Sequence, residues 1–269
     1  MSAAAQGGLL GVFAHPDDEA YSVAGSLAKH TDEGIPATLL CFTRGEAGQI
    51  RDGSDATRET LGEVREGELR AACRIVGVTD VRIVGTADGG TQADEEGVSK
   101  IVAAIEELRP RVVVTMEPHG VTRHPDHIAV SKMTTDAFHA ARERTKGTYP
   151  ERLYYSAFPK TAFEAFGAEL SKRGVPPFTS PDDPLAVQPA PDESLACIVD
   201  VSAWVPRKAD ALRAHDTQSM EVIAWLPEDM LTLFLGVEAF QRPFPETIEG
   251  GAAEADLFAA FRDGDGNVR

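Results

Sequence analysis

Between Leu9 and Phe158, short apolar runs alternate with longer stretches whose apolar residues recur every three or four positions. The runs Leu9–Ala14, Ala37–Thr43, Val81–Val84, Val112–Met116 and Leu153–Phe158 predict buried strands. The intervening stretches predict helices. Asp17–His30 places Ala20, Val23, Ala24, Leu27 and Ala28 on one face, with Gly34 as a stop signal. Thr57–Val76 carries Leu61, Val64, Ala72 and Ile75 at helical spacing, and Glu68 interrupts that stripe. Gly97–Leu108 ends at Pro110, and Asp126–Arg142 follows the fourth strand. His30 and His139 fall on the outer faces of their helices in this reading.

Past Phe158 the pattern loosens. Pro159–Pro191 is rich in proline and turn residues and reads as an excursion over one face, or a lid. Cys197–Val201 predicts a sixth strand. Pro206–Thr217 and Pro227–Phe240 predict helices with proline near the first turn. Gly250–Arg269 reads as peripheral. The whole, 1–269, is expected to be one domain, with its core in 9–158 and additions in 159–269.

Strand–helix alternation of this kind predicts a mostly parallel sheet with helices on both faces. If the strand order is 3-2-1-4-5, strands one and four are neighbours and a crevice opens between their carboxyl ends. Both ends carry polar clusters. His15-Pro16-Asp17-Asp18-Glu19 follows strand one, and His124-Pro125-Asp126-His127 follows strand four. A hydrolytic metal site needs few protein ligands and an open position for water. His15 and Asp18, three apart on an opening helical turn, can point to one side. A third ligand from the second cluster, His127 foremost, completes a His-Asp-His set. Two nitrogens and a carboxylate suit Zn2+, with Fe2+, Mn2+ or Co2+ as alternatives. Asp17 points elsewhere and is free to act as base. His124 is placed to stabilise an oxyanion or protonate a leaving nitrogen. Asp126 is expected to orient one of the histidines.

Composition narrows the partners. Apolar residues make up 42% of the chain, enough for a sizeable core, and the net charge of −17 opposes non-specific binding to nucleic acid or anionic lipid. No run approaches the length of a membrane span, and Met1–Gly8 lacks the features of a secretory signal, so the cytoplasm is the expected location. Cys41, Cys73 and Cys197 stand apart in apolar company and read as buried free thiols.

The two clusters at this spacing resemble those of the PIG-L / LmbE-like family of metal-dependent N-deacetylases and amidases, which includes GlcNAc-PI de-N-acetylases and mycothiol-pathway deacetylases. The resemblance covers roughly Leu9 to Phe158, with weaker echoes to about Ser219. It implies a Rossmann-like three-layer α/β sandwich. It implies His15, Asp18 and His127 as zinc ligands, Asp17 as general base and His124 as the electrophilic or acidic partner. It further implies substrate contacts from Glu46 in Gly45-Glu46-Ala47-Gly48, from Arg65, from Asp88, and from His215 in Ala214-His215-Asp216-Thr217-Gln218. One departure stands out. Members acting on mycothiol precursors tend to carry a tyrosine two residues before the second cluster's first histidine, where this chain has Thr122.

The implied reaction removes an acetyl or other acyl group from the nitrogen of a small amino-sugar-like substrate, and a homo-oligomer is compatible with the family. An alternative keeps the site and cleaves a larger amide, a thiol conjugate or an antibiotic-like molecule. A third class, a nucleotide-binding or non-catalytic module, is opposed by the first turn, which lacks Gly-x-Gly-x-x-Gly.

Overall fold

A computed structural model describes residues 7–175, 185–218, 226–246 and 252–268. Its centre is a seven-stranded sheet in the order β3-β2-β1-β4-β5-β7-β6. The strands are β1 (Leu9–Phe13), β2 (Ala37–Cys41), β3 (Asp80–Ile83), β4 (Val112–Met116), β5 (Arg152–Ala157), β6 (Cys197–Asp200) and β7 (Val237–Phe244). The first five are parallel in the expected order, with Leu9 opposite Ala37 on one side and opposite Val112 on the other. Every residue of β1 and β4 is buried, as central strands covered on both faces require. The two faces are separate cores. One gathers Phe13, Leu27, Leu69 and Phe240, and the other gathers Val12, Ile105, Phe138 and Leu153.

The helices are α1 (Asp18–Ser22), α2 (Ala24–Asp32), α3 (Leu61–Ile75), α4 (Glu95–Leu108), α5 (Gly120–Arg123), α6 (Pro125–Arg144), α7 (Lys160–Lys172), α8 (Val205–Ala214) and α9 (Glu228–Leu235). The helix expected over Asp17–His30 is therefore two. It breaks at Val23, whose φ of −148° leaves the helical region. The break exposes a new helix N-terminus, and the chain fills it from afar. The Glu238 carboxylate accepts hydrogen bonds from Gly25 N and Ser26 N, both at 2.8 Å, and Lys208 Nζ sits 2.7 Å from the same carboxylate. Glu238 and Lys208 are both buried. A cap contributed by a distant strand leaves no local trace.

The apolar stripe of Pro227–Phe240 also divides. Helix α9 stops at Leu235, Gly236 follows, and β7 inserts antiparallel between β5 and β6. The run Val237 to Phe240 fits either period, and pairing with β5 decides it. The helix over Thr57–Val76 starts later, at Leu61. The excursion after Phe158 contains α7, and Pro159 bridges to Ala190. Its densest turn signals, Pro176-Pro177 and Pro181-Asp182-Asp183-Pro184, lie outside the described residues.

Two expectations about burial are corrected. His30 is fully buried rather than on a helix surface, edge-on to Phe258 and 3.3 Å from Glu33. The C-terminal stretch is not peripheral, because Leu257 and Phe258 are fully buried against the first core. The three cysteines are buried and free, as read.

The buried Lys208–Glu238 pair yields a prediction. Removing one partner leaves an uncompensated charge inside, so Lys208→Met should lower unfolding free energy by about 3–5 kcal/mol. Urea denaturation measures it, and a change below about 1 kcal/mol would show that the α2 cap does not need its counter-charge.

Candidate metal and catalytic centre

The site forms where β1 and β4 end side by side. After Phe13 the chain turns through Ala14–Asp17. The Asp18 carboxylate pins this turn by accepting from His15 N at 2.8 Å and Ala14 N at 3.2 Å. After Met116 the chain passes through α5 to His124, whose Nδ1 caps α6 by accepting from Asp126 N at 3.2 Å. The imidazoles of His15, His124 and His127 then pack as a cluster, with ring centroids 4.7–5.0 Å apart.

Each histidine's orientation is set from behind. His127 Nδ1 donates to Gly120 O at 2.9 Å, which turns Nε2 inward. His15 Nε2 donates to Asp88 Oδ1 at 3.0 Å and Asp126 Oδ2 at 3.3 Å, which turns Nδ1 inward. Asp126 is itself held by Gly89 N and Thr91 N. The two inward nitrogens lie 3.0 Å apart. Asp18 approaches both, at 3.7 Å from His15 Nδ1 and 3.3 Å from His127 Nε2. Ring nitrogens of His15, His124 and His127 also fall within 4.8 Å of one another.

This donor set attracts positive charge. Burial works to lower the His15 pKa, but Asp126, Asp88 and Asp18 outweigh it and lift the value to about 10. The same ion pair opposes the cost of burying Asp88 and brings its carboxyl down to about 2. Two imidazole nitrogens and a carboxylate converging on one point, each backed by a hydrogen bond, suit a zinc-type ion.

Asp17 occupies the position before α1 with φ 110°, a strained value for a residue other than glycine. Two neighbours hold it. Glu19 Oε2 accepts from Asp17 N at 3.1 Å, and Arg65 Nη2 reaches both Asp17 Oδ2 at 3.2 Å and Pro16 O at 2.6 Å. Burial raises the Asp17 carboxyl, Arg65 opposes it, and Asp18 adds to the rise, leaving it at about 6. For His124, burial and the neighbouring histidines keep the pKa below the usual value. A neutral His124 whose Nδ1 accepts from Asp126 N carries its proton on Nε2.

The remaining candidates sit differently from a simple substrate shelf. Arg65 is buried and also donates to Gly45 O at 2.8 Å. A Cβ on Gly45, where φ is +65°, would stand 2.3 Å from its Nη1, so the glycines of this loop admit the guanidinium. Glu46 accepts from Asp88 N at 2.9 Å, and Asp88 Oδ2 accepts from Ala47 N at 2.8 Å, linking the β2 and β3 loops. His215 is buried behind the first cluster, its Nε2 2.7 Å from Glu19 Oε1. Thr217 bonds Glu68 twice, which explains the acidic residue on the α3 stripe. A cavity of about 310 Å³ opens over the centre, lined by Asp17, Asp18, Tyr21, Thr122, His127 and Gln218 among others. Glu46, Arg65, Asp88 and His215 do not line it.

Sequence reading assigned no role to Glu19 or Glu117. Glu19 directly follows Asp18, and Glu117 directly follows an all-buried strand, so both had a local signal. Glu117 is buried, with Oε2 2.9 Å from His119 Nε2 and Oε1 without a partner among the described residues.

Fold and site together define an α/β protein whose mostly parallel sheet carries a histidine–carboxylate centre able to hold a metal ion. A family model described as PIG-L, GlcNAc-PI de-N-acetylase, matches residues 10–138. A 1D-myo-inositol 2-acetamido-2-deoxy-alpha-D-glucopyranoside deacetylase from Thermomonospora curvata is 35% identical, over 92% of this chain and 93% of that one. Among solved structures, the conserved protein TT1542 from Thermus thermophilus superposes with a TM-score of 0.62 at 26% identity, over 91% of this chain and 99% of that one. An N,N'-diacetylchitobiose deacetylase from Pyrococcus horikoshii shares the fold, with a TM-score of 0.62 at 18% identity over 87% of this chain and 82% of that one. The chain belongs to the PIG-L family.

Glu117 yields a prediction with a definite sign. Burial raises its carboxyl from 4.5 to about 7. The folded state then binds more protons than the unfolded state between those values, so stability is lost as pH rises through them. Glu117→Gln removes the loss. Relative to wild type it should gain about 1–3 kcal/mol on going from pH 5 to pH 8 in urea titrations. A gap that does not change with pH would contradict the assignment.

Proposed function

We propose that the protein is a zinc-dependent N-deacetylase acting on a small N-acetylated amino-sugar-like substrate, with Fe2+, Mn2+ or Co2+ as alternative metals. The convergence of His15 Nδ1, His127 Nε2 and the Asp18 carboxylate beside a strained, half-buried Asp17 is the observation that carries this reading. The name of the Thermomonospora curvata relative supports the substrate class, since it describes deacetylation of an acetamido sugar joined to inositol.

His15, Asp18 and His127 would hold the ion. Bound there, zinc would polarise the amide carbonyl and bring the pKa of water toward ~7. Asp17, at about 6, is matched to accept a proton from that water near neutral pH. Arg65 and Glu19 fix where its carboxylate points. His124 presents an N–H to the developing oxyanion or to the departing nitrogen. Asp88 and Asp126 keep the His15 ring turned inward. Arg65, Glu46, Asp88 and His215 act here by shaping the β1, β2 and β3 loops against which a sugar would rest.

Amine release from N-acetylglucosaminides, zinc-loaded against chelator-treated protein, tests the reading. Release should require metal. In Asp17→Asn, metal should be retained and kcat should fall at least about a hundredfold. Turnover that survives complete metal removal, or an Asp17→Asn variant with near-normal kcat, would overturn it.

A further inference from the structure

A second cavity of about 410 Å³ adjoins the catalytic one. The two share Tyr21, Ser22, Phe158, Phe163 and Phe234 in their walls, so they abut along these side chains. Its walls are mainly apolar. Its charged lining residues are the pair Lys208 and Glu238, mutually neutralised at 2.7 Å, and the exposed Asp192, which accepts from Thr161 N at 3.3 Å. Its lining includes Ile198, Leu233 and Val237, which are 41, 50 and 46% exposed and rank among the few large apolar side chains left in water by the described residues. A mainly apolar chamber with an apolar rim therefore stands beside the cavity over the catalytic centre.

The sheet order gives this chamber a direction. The polar loops bearing Glu46 and Asp88 follow β2 and β3, on one flank of the β1–β4 centre. Phe158, α7 and β7 lie on the opposite flank. A scissile amide lying along this axis would have its amine side and its acyl side on opposite flanks. In that orientation the hydroxyl-rich amine portion would rest toward the β2 and β3 loops and the acyl portion toward the apolar chamber.

We propose that the chamber receives the acyl chain of the substrate, and that the protein also hydrolyses N-acyl amino sugars with chains longer than acetyl. The inference rests on the hydrolase reading above and extends its acyl range. The C–N bond breaks, the hydroxyl of water joins the acyl carbon, and its proton goes to the nitrogen. The products are a medium-chain carboxylate and a free amine. Burial of a methylene is worth about 0.8 kcal/mol, close to a fourfold gain per added carbon while the chain stays within the walls.

The first test compares kcat/KM for N-acetyl-, N-butyryl- and N-hexanoyl-glucosamine with zinc-loaded protein. It should rise about threefold to fourfold per methylene. Ala162→Trp, which narrows the chamber from α7, should lower the hexanoyl value at least about tenfold more than the acetyl value. A fall in kcat/KM with chain length, or equal effects of Ala162→Trp on both substrates, would overturn the proposal while leaving metal-dependent deacetylation standing. A second test does not depend on turnover. Calorimetry on zinc-loaded protein should show octanoate binding at least about thirtyfold tighter than acetate. Equal affinities would overturn the proposal even if no amide is cleaved. An apolar rim that instead joins two copies, seen as dissociation of an oligomer by Leu233→Asp, would overturn it as well.

Discussion

The parallel pairing of β1 with β4 is the constraint on which the centre depends. His15 and His127 are 112 residues apart in the chain, yet their inward nitrogens stand 3.0 Å apart. They meet because Leu9, Leu10 and Gly11 lie beside Val112, Val113 and Val114, and each strand ends into its own polar turn. Right-handed crossovers carry the intervening strands to the other side of β1, which leaves the crevice open between the two ends. The apolar runs that hold these strands in register thus fix the distance between side chains they do not contain.

Around that crevice, polar groups are arranged in successive layers. Gly120 O turns His127, while Asp88 and Asp126 turn His15. Asp126 in turn is held by Gly89 and Thr91, and Asp88 by Ala47. On the other side Glu19 connects Asp17 to His215, and Arg65 connects Asp17 to Gly45. An aspartate at φ 110° persists only if its surroundings over-determine it. Loops from β1, β2 and β3 and the segment after α8 all contribute. This accounts for the buried His215 after α8 and for Glu68 on an otherwise apolar stripe.

Much of this was legible in the sequence because strand ends and polar clusters coincide. The five parallel strands follow from the apolar runs, and the order assumed from the fold type, which is the one that makes the two clusters meet, is the order observed. What was hidden depends on distant partners. The break at Val23 needs Glu238 to cap it, and Glu238 lies on a strand that periodicity alone reads as helix. His30 is buried by Phe258, from a stretch with no strong pattern of its own. Arg65 turns inward because Gly45 and Gly48 leave room for it, a fact about two loops and a helix together.

The central claim is that side chains from both clusters share one metal ion. X-ray absorption spectroscopy on protein loaded with one equivalent of zinc tests it most directly. The account predicts a nitrogen/oxygen shell at about 2.0–2.1 Å with the outer-shell scattering of two imidazoles, one of them lost in His127→Ala. A spectrum with no imidazole scattering, or one unchanged by that substitution, would contradict it.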